Sequence, residues 1–278
     1  VRIIVLISII ILLSCKGKPE NNMHWEKPES ITIDCSDYFN LKTSQGVLNN
    51  NVWNKNAANS KPWSQCLEKR VVEGENQFGW SWSWPTGRRV IYAYPQIKIG
   101  ASPWAPEPKM DTAFPLKISE LKKIDISHEL EISTNGDHNI ATTMWLVNEA
   151  YKGDKANTAI IAAELMIWTY STAAHFDPAG QNIGELTVGD TQWQVWYQND
   201  WQDQSGANSN QWAIVSFRNK KPSMSARIPA MGLLQYALRK GLISKDLYIA
   251  DVELGNEIMS GSGISWVKEF KVHYEKEH

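Results

Sequence analysis

The run Glu164-Leu165-Met166-Ile167-Trp168 sets one carboxylate into an alternation that an extended backbone would sort by face. Successive strand side chains point to opposite sides, so Glu164, Met166 and Trp168 share one face and Leu165 and Ile167 the other. The second face is core. The first places an ionisable group between apolar neighbours, with Ala162 leaving space beside it, as on a sheet face open to a groove. An acid perturbed by partial burial beside an aromatic suits nucleophilic or general acid/base chemistry. The competing reading is an exposed glutamate on an edge strand.

Such a strand needs a sheet to hold it. From residue 31 onward, short runs of strand-forming residues alternate with Gly, Asn, Asp and Pro, predicting strands at 47–53, 77–84, 90–99, 124–133, 139–147, 160–170, 184–188, 192–197, 211–217, 248–257 and 264–274. Asn135-Gly136 predicts a hairpin between two of them. One helix is expected near 228–240, where Met231, Leu234, Gln235 and Leu238 recur at helical spacing and Gly241 supplies the stop. Many strands and one helix on the outside indicate an all-β, two-sheet sandwich. With 278 residues and 42% hydrophobic content, one domain with one large core is enough.

The chain has 14 Trp, and flat amphipathic rings are a natural surface for the apolar face of a sugar, although Trp also fills cores well. Trp80, Trp82 and Trp84 alternate with Ser81 and Ser83, so the three indoles share a face that either lines a groove or packs between the sheets. The Pro-rich stretch 101–115 and the segment 177–182 read as loops able to shape the ends of a cleft. A net charge of −2 without a long basic run argues against a nucleic-acid partner. His128, His138 and His175 lack metal-ligand spacing and read as surface or hydrogen-bonded residues; no metal or other cofactor is expected. Glu129, Glu131, Glu149, Asp200 and Asp203 read as solvated, and Glu253, on the strand face of Gly255 and Glu257, as a structural or rim acid, with a hydrogen-bonding place in the cleft as the alternative.

The apolar run from Ile3 to Leu13 follows a single cation, Arg2, and is too short to span a bilayer. It ends in Leu12-Leu13-Ser14-Cys15, which resembles the lipobox of bacterial lipoproteins. The expectation is a signal peptide over 1–14, lipidation of Cys15, a polar tether over 15–30 and a domain over 31–278. That makes the protein an exported, membrane-anchored lipoprotein of the bacterial cell envelope, read as a monomer. With Cys15 lipidated, Cys35 and Cys66 are left able to pair in an oxidising compartment.

Six segments, in order, resemble glycoside hydrolase family 12: Asn50-Asn51-Val52-Trp53, Ser64-Gln65-Cys66, Ser81-Trp82-Ser83-Trp84, the Glu164 to Trp168 block, Pro178-Ala179-Gly180 and Gly255-Asn256-Glu257. The resemblance implies a concanavalin-like β-jelly roll with an open cleft. It also implies endo-β-1,4-glucanase or xyloglucanase activity on a β-glucan substrate, with retention of configuration. It makes Glu164 the nucleophile and Glu257 the general acid/base. Asn51 and Trp53 become contacts on the non-reducing side, Met166 an apolar contact beneath the sugar, and Trp168 a continuation of that face. Cys35 and Cys66 match the family's N-terminal disulfide. Four positions depart from the family pattern: Thr143 stands where an Asp beside the nucleophile is usual, Ile258-Met259 where Pro-Phe is usual, and Asn54 where Gly is usual. A glycan-binding lipoprotein that has lost turnover and a structural envelope lipoprotein are the other readings.

Overall fold

A computed structural model describes residues 25–202, 206 and 209–277. Cys15, the signal-like run and Asp203 lie outside the described residues. The strands, in chain order, are β1 (Ile31–Asp34), β2 (Asn40–Lys42), β3 (Val47–Asn49), β4 (Ser64–Val72), β5 (Glu75–Trp84), β6 (Gln96–Gly100), β7 (Leu116–Lys117), β8 (Leu121–Thr134), β9 (Asn139–Val147), β10 (Ile161–Ser171), β11 (Gln181–Val188), β12 (Thr191–Trp201), β13 (Trp212–Asn219), β14 (Ser225–Ile228), β15 (Tyr248–Gly255) and β16 (Gly261–Lys276). They form a sheet ordered β1-β4-β5-β16-β8-β14 and a larger one ordered β11-β12-β13-β10-β9-β15-β6-β3-β2, with β7 added on β15. The pair β10 and β13 is parallel; the other strand pairs are antiparallel.

The core lies between the sheets. It takes Leu165 and Ile167 from β10, Ile140, Met144 and Leu146 from β9, and Val252 and Leu254 from β15. Trp80, Trp82 and Trp84 enter it from β5, so all three indoles are core and the groove alternative for them is excluded. The indole N–H groups of two of them donate to buried amides, Trp80 to Asn256 Oδ1 at 2.9 Å and Trp84 to Gln65 Oε1 at 3.0 Å. Among the described residues one α-helix occurs, α1 (Ala230–Arg239), which turns Leu233, Leu234 and Ala237 onto the core.

Asn135-Gly136 does not close a hairpin. It carries the chain from β8 in the smaller sheet to β9 in the larger one, and the connection from β15 to β16 makes the reverse crossing beside it. The two crossings touch so closely that a Cβ on Gly136 would lie 1.9 Å from the Ser260 carbonyl oxygen. Asn135 N–H donates to Ser262 O, and Ser262 N–H to Asn135 Oδ1. The turn residues serve a corner between sheets rather than a ladder within one.

Cys35 and Cys66 are joined in a disulfide that fastens the end of β1 to β4. Lys27 and Ser30, within the stretch read as tether, bond to the fully buried Glu68 on β4.

Candidate active site

The face of the larger sheet turned away from the core carries a separate set of side chains. Pairing fixes which residues meet there. One row across the sheet runs Gly100, Asp251, Trp145, Glu164, Ile214; the next runs Lys98, Glu253, Thr143, Met166, Ser216; a third runs Gln96, Gly255, Ala141, Trp168, Arg218. These positions alternate with the core positions on every strand, so a one-residue slip would bury the acids and expose the core.

Glu164 is 8% exposed, and its Oε2 accepts the indole N–H of Trp212 on β13 at 3.0 Å. Trp212 and Trp145 meet edge to face, and Trp104, from the 101–115 loop, lies edge-on to both. Lys98 anchors the same loop by donating to Ala105 O at 2.6 Å. The expected role of that loop, shaping one end of the face, is what its position provides. Met166 and Trp168 form the floor with Tyr94, Ala141 and Ile214, and Trp53, Ala179 and Trp201 pack against them. Trp168 meets His175 edge to face.

Glu257 follows β15 at the corner where the sheets cross. Asn139 grips it twice: the Glu257 N–H donates to Asn139 Oδ1 at 2.9 Å, and Asn139 Nδ2 donates to the Glu257 carboxylate. Asn256 faces the other way, fully buried, accepting from Trp80 Nε1 and Ser265 Oγ and donating to Asn139 O. One residue thus anchors the corner and the next presents the acid. Burial pushes the Glu257 carboxyl up to about 7, against the lowering effect of the Asn139 bond.

Tyr94 packs on the same face, beside Met166 and Trp168. Its hydroxyl donates to Ala141 O at 2.9 Å and lies 3.4 Å from Thr143 Oγ1. Burial raises this phenol well above the ordinary value, and the charges of Glu253, Glu257 and Glu164 each add to the rise. All three carboxyls therefore act on one phenol. Gly255 makes room for Tyr94, since a Cβ there would lie 2.9 Å from the ring and 2.4 Å from Pro95 O. Along the strands, Glu164 is level with Trp145 and Glu257 with Asn139, six positions apart on β9 and about 20 Å at the strand rise.

Asn51 Oδ1 accepts the Trp53 N–H at 3.1 Å and its amide reaches Gln96 Oε1 at 3.5 Å, so it orients Trp53 before any ligand is present. His128, His138 and His175 are buried rather than superficial, and burial lowers all three, His128 and His175 to about 4. Among the described residues no cluster of His, Cys, Asp or Glu is arranged to hold a metal ion.

Residues 44–275 match the model of glycosyl hydrolase family 12. The chain belongs to glycosyl hydrolase family 12. Endoglucanase S of Pectobacterium parmentieri is 30% identical over 242 residues, covering 85% of this chain and 84% of the relative. A protein named probable xyloglucan-specific endo-beta-1,4-glucanase A, from Aspergillus clavatus, is 22% identical over 253 residues, covering 88% and 92%. A family 12 xyloglucanase from Bacillus licheniformis, solved in complex with ligand, superposes with a TM-score of 0.72 at 26% identity over 87% of this chain and 99% of that one. The two-sheet sandwich with its single helix is the jelly roll of those family 12 structures.

Sequence reasoning singled out Glu164, Glu257, Met166 and Trp168 but gave no role to Tyr94, Trp145, Trp212 or Asn139. Period-two alternation along 139–147 already placed Thr143 and Trp145 on one face. Which strand would lie beside them had no local signal.

Proposed function

We propose that this family 12 protein is an exported, retaining endo-glycosidase that cuts internal β-1,4-glucosidic bonds of soluble glucans such as xyloglucan or mixed-linkage glucan. The observation that carries the reading is the unlike setting of its two glutamates. Glu164 sits beside an indole N–H that stabilises an anion, whereas burial holds Glu257 protonated up to about pH 7.

In this reading Glu164 attacks the anomeric carbon as the C–O bond to the leaving sugar breaks, and Glu257 gives its proton to the departing oxygen. Water then attacks the same carbon, Glu257 takes the water proton, and the Glu164 oxygen leaves with its electron pair. Retention requires the carboxyl groups about 5–5.5 Å apart. What supports their acting on one bond is that both carboxylates act on the same buried phenol, Tyr94. Trp53, oriented by Asn51, offers its ring to a sugar on the non-reducing side, above the Met166 and Trp168 floor. The named activities of the relatives agree with a β-glucan substrate. Lipidation at Cys15 would place the domain on the cell envelope.

Reducing-sugar release from a panel of β-glucans tests the reading. The wild type should be active and Glu164→Gln nearly inactive on every substrate. Binding of glucan without release, unchanged by Glu164→Gln or Glu257→Gln, would mark a glycan-binding protein instead.

A further inference from the structure

The face that carries Glu164 and Glu257 also holds two acids and a cation for which the double displacement has no use. Asp251 is fully buried, Glu253 is 4% exposed and Lys98 is 1% exposed. Ser102, Lys98 and Glu253 are the polar groups that act on the Asp251 carboxyl. Two carboxylates cannot bond to each other unless one holds a proton. Burial first, and then the Glu253 charge, push Asp251 well above the usual carboxylate range, with Lys98 and Ser102 opposing. Burial thus favours the neutral form of Asp251, beside Glu253.

Glu253 is held on two further sides. Its backbone is paired with Lys98 on β6 and with Thr143 on β9, and its Oε2 accepts the Trp145 indole N–H at 3.3 Å. Trp145 meets Trp212 edge to face, and Trp212 donates to Glu164. The two carboxylates are thus mirrored across a pair of touching indoles, under Trp104. Tyr94 faces Glu253 from the segment before β6, its hydroxyl 3.5 Å from the Glu253 carbonyl oxygen.

We propose that Glu253 is a positioning residue that supplies, from β15, the helper carboxylate that β9 lacks at Thr143, and that it acts on Glu164 through its charge and through Trp145. The residue standing where the family resemblance expects an Asp is paired directly with a buried glutamate on the next strand. The helper has moved sideways by one strand. This rests on the glycosidase reading for its purpose, but the electrostatic coupling is measurable without turnover.

The test follows the Glu164 carboxyl carbon by NMR titration, with the signal assigned by its loss in Glu164→Gln. Glu253→Gln keeps an oxygen that accepts from Trp145 but removes the charge. Glu253 and Glu164 lie two strands apart, about 10 Å, so the Glu164 midpoint should fall by about one pH unit. Adding Thr143→Asp to Glu253→Gln should bring it back. Asp251→Asn combined with Glu253→Gln, which neutralises the buried pair on both sides, should lower the midpoint likewise and keeps the test decisive if Glu253→Gln alone does not fold. A midpoint unmoved in the variants that fold would overturn the proposal, as would a double variant with Thr143→Asp that stays at the value of Glu253→Gln. Absence of glucan hydrolysis by the wild type would instead count against the glycosidase reading, since the titration does not depend on it.

Discussion

Glu164 and Glu257 are the same residue type held in opposed surroundings. An indole N–H points at the first; the second is desolvated and gripped by one asparagine. The proposed mechanism requires a protonated Glu257 in its first step, so it predicts that kcat/KM declines as pH rises through about 7. A pH–rate profile checks this. With an aryl glycoside whose leaving group needs little protonation, Glu257→Gln should keep the glycosylation step and lose that basic limb, while Glu164→Gln should lose the step itself. Equal loss in both variants would contradict the division of roles. The two proposed acids stood out in the sequence because each sits in a short distinctive block, Glu-Leu-Met-Ile-Trp and Gly-Asn-Glu. Glu253 could be placed on the face of Glu257 by alternation, but its partners could not, since Lys98 and Thr143 are more than a hundred positions away along the chain and adjacent only through strand pairing.

At the scale of elements, the corner where β8 enters β9 and β15 leaves for β16 places Glu257. Local sequence marked a turn at Asn135-Gly136 but could not tell a hairpin from a change of sheet, because turn chemistry is satisfied by either. The strand β4 escaped notice for a related reason. Its run of Glu68, Lys69 and Arg70 looks like a solvated loop, yet Glu68 is fully buried against Lys27, Ser30, Thr32 and Ser81. Gly255, the residue that admits Tyr94, gives a direct test of the corner. Gly255→Ala should lower stability by about 1–3 kcal/mol through overpacking against Pro95 and Tyr94. Denaturant unfolding reads the loss. Activity should fall further than stability accounts for, since the Tyr94 ring would be displaced from its packing against Met166 and Trp168.

Across the whole molecule, the sandwich was legible from alternation and turn spacing, and the single helix from its period, with Leu233, Leu234 and Ala237 as the buried stripe. The histidines were not legible, because a polar ring in a strand gives no local sign of its depth. His128 lies between the sheets, bonded to Thr169 at 3.1 Å, and titrates at about 4 when folded. The unfolded chain takes up that proton near 6.5, so the stability His128 confers is full above 6.5 and is lost as pH falls toward 4. The loss is about 3 kcal/mol for a group this deeply buried. His138 and His175 act in the same direction, whereas Asp251 and Glu257, raised in the fold, act in the other. The difference between wild type and His128→Gln isolates the histidine: unfolding free energy measured from pH 7 to pH 4 should fall less steeply in the variant.

The central claim is that Glu164 forms a bond to sugar while Glu257 handles the proton. Treating the protein with a 2-deoxy-2-fluoro-β-cellosyl fluoride slows departure of the sugar from the enzyme, and peptide mass spectrometry then locates it. The account predicts a single adduct on the peptide carrying Glu164. An adduct on Glu253 or Glu257, or none while the protein still hydrolyses glucan, would contradict it.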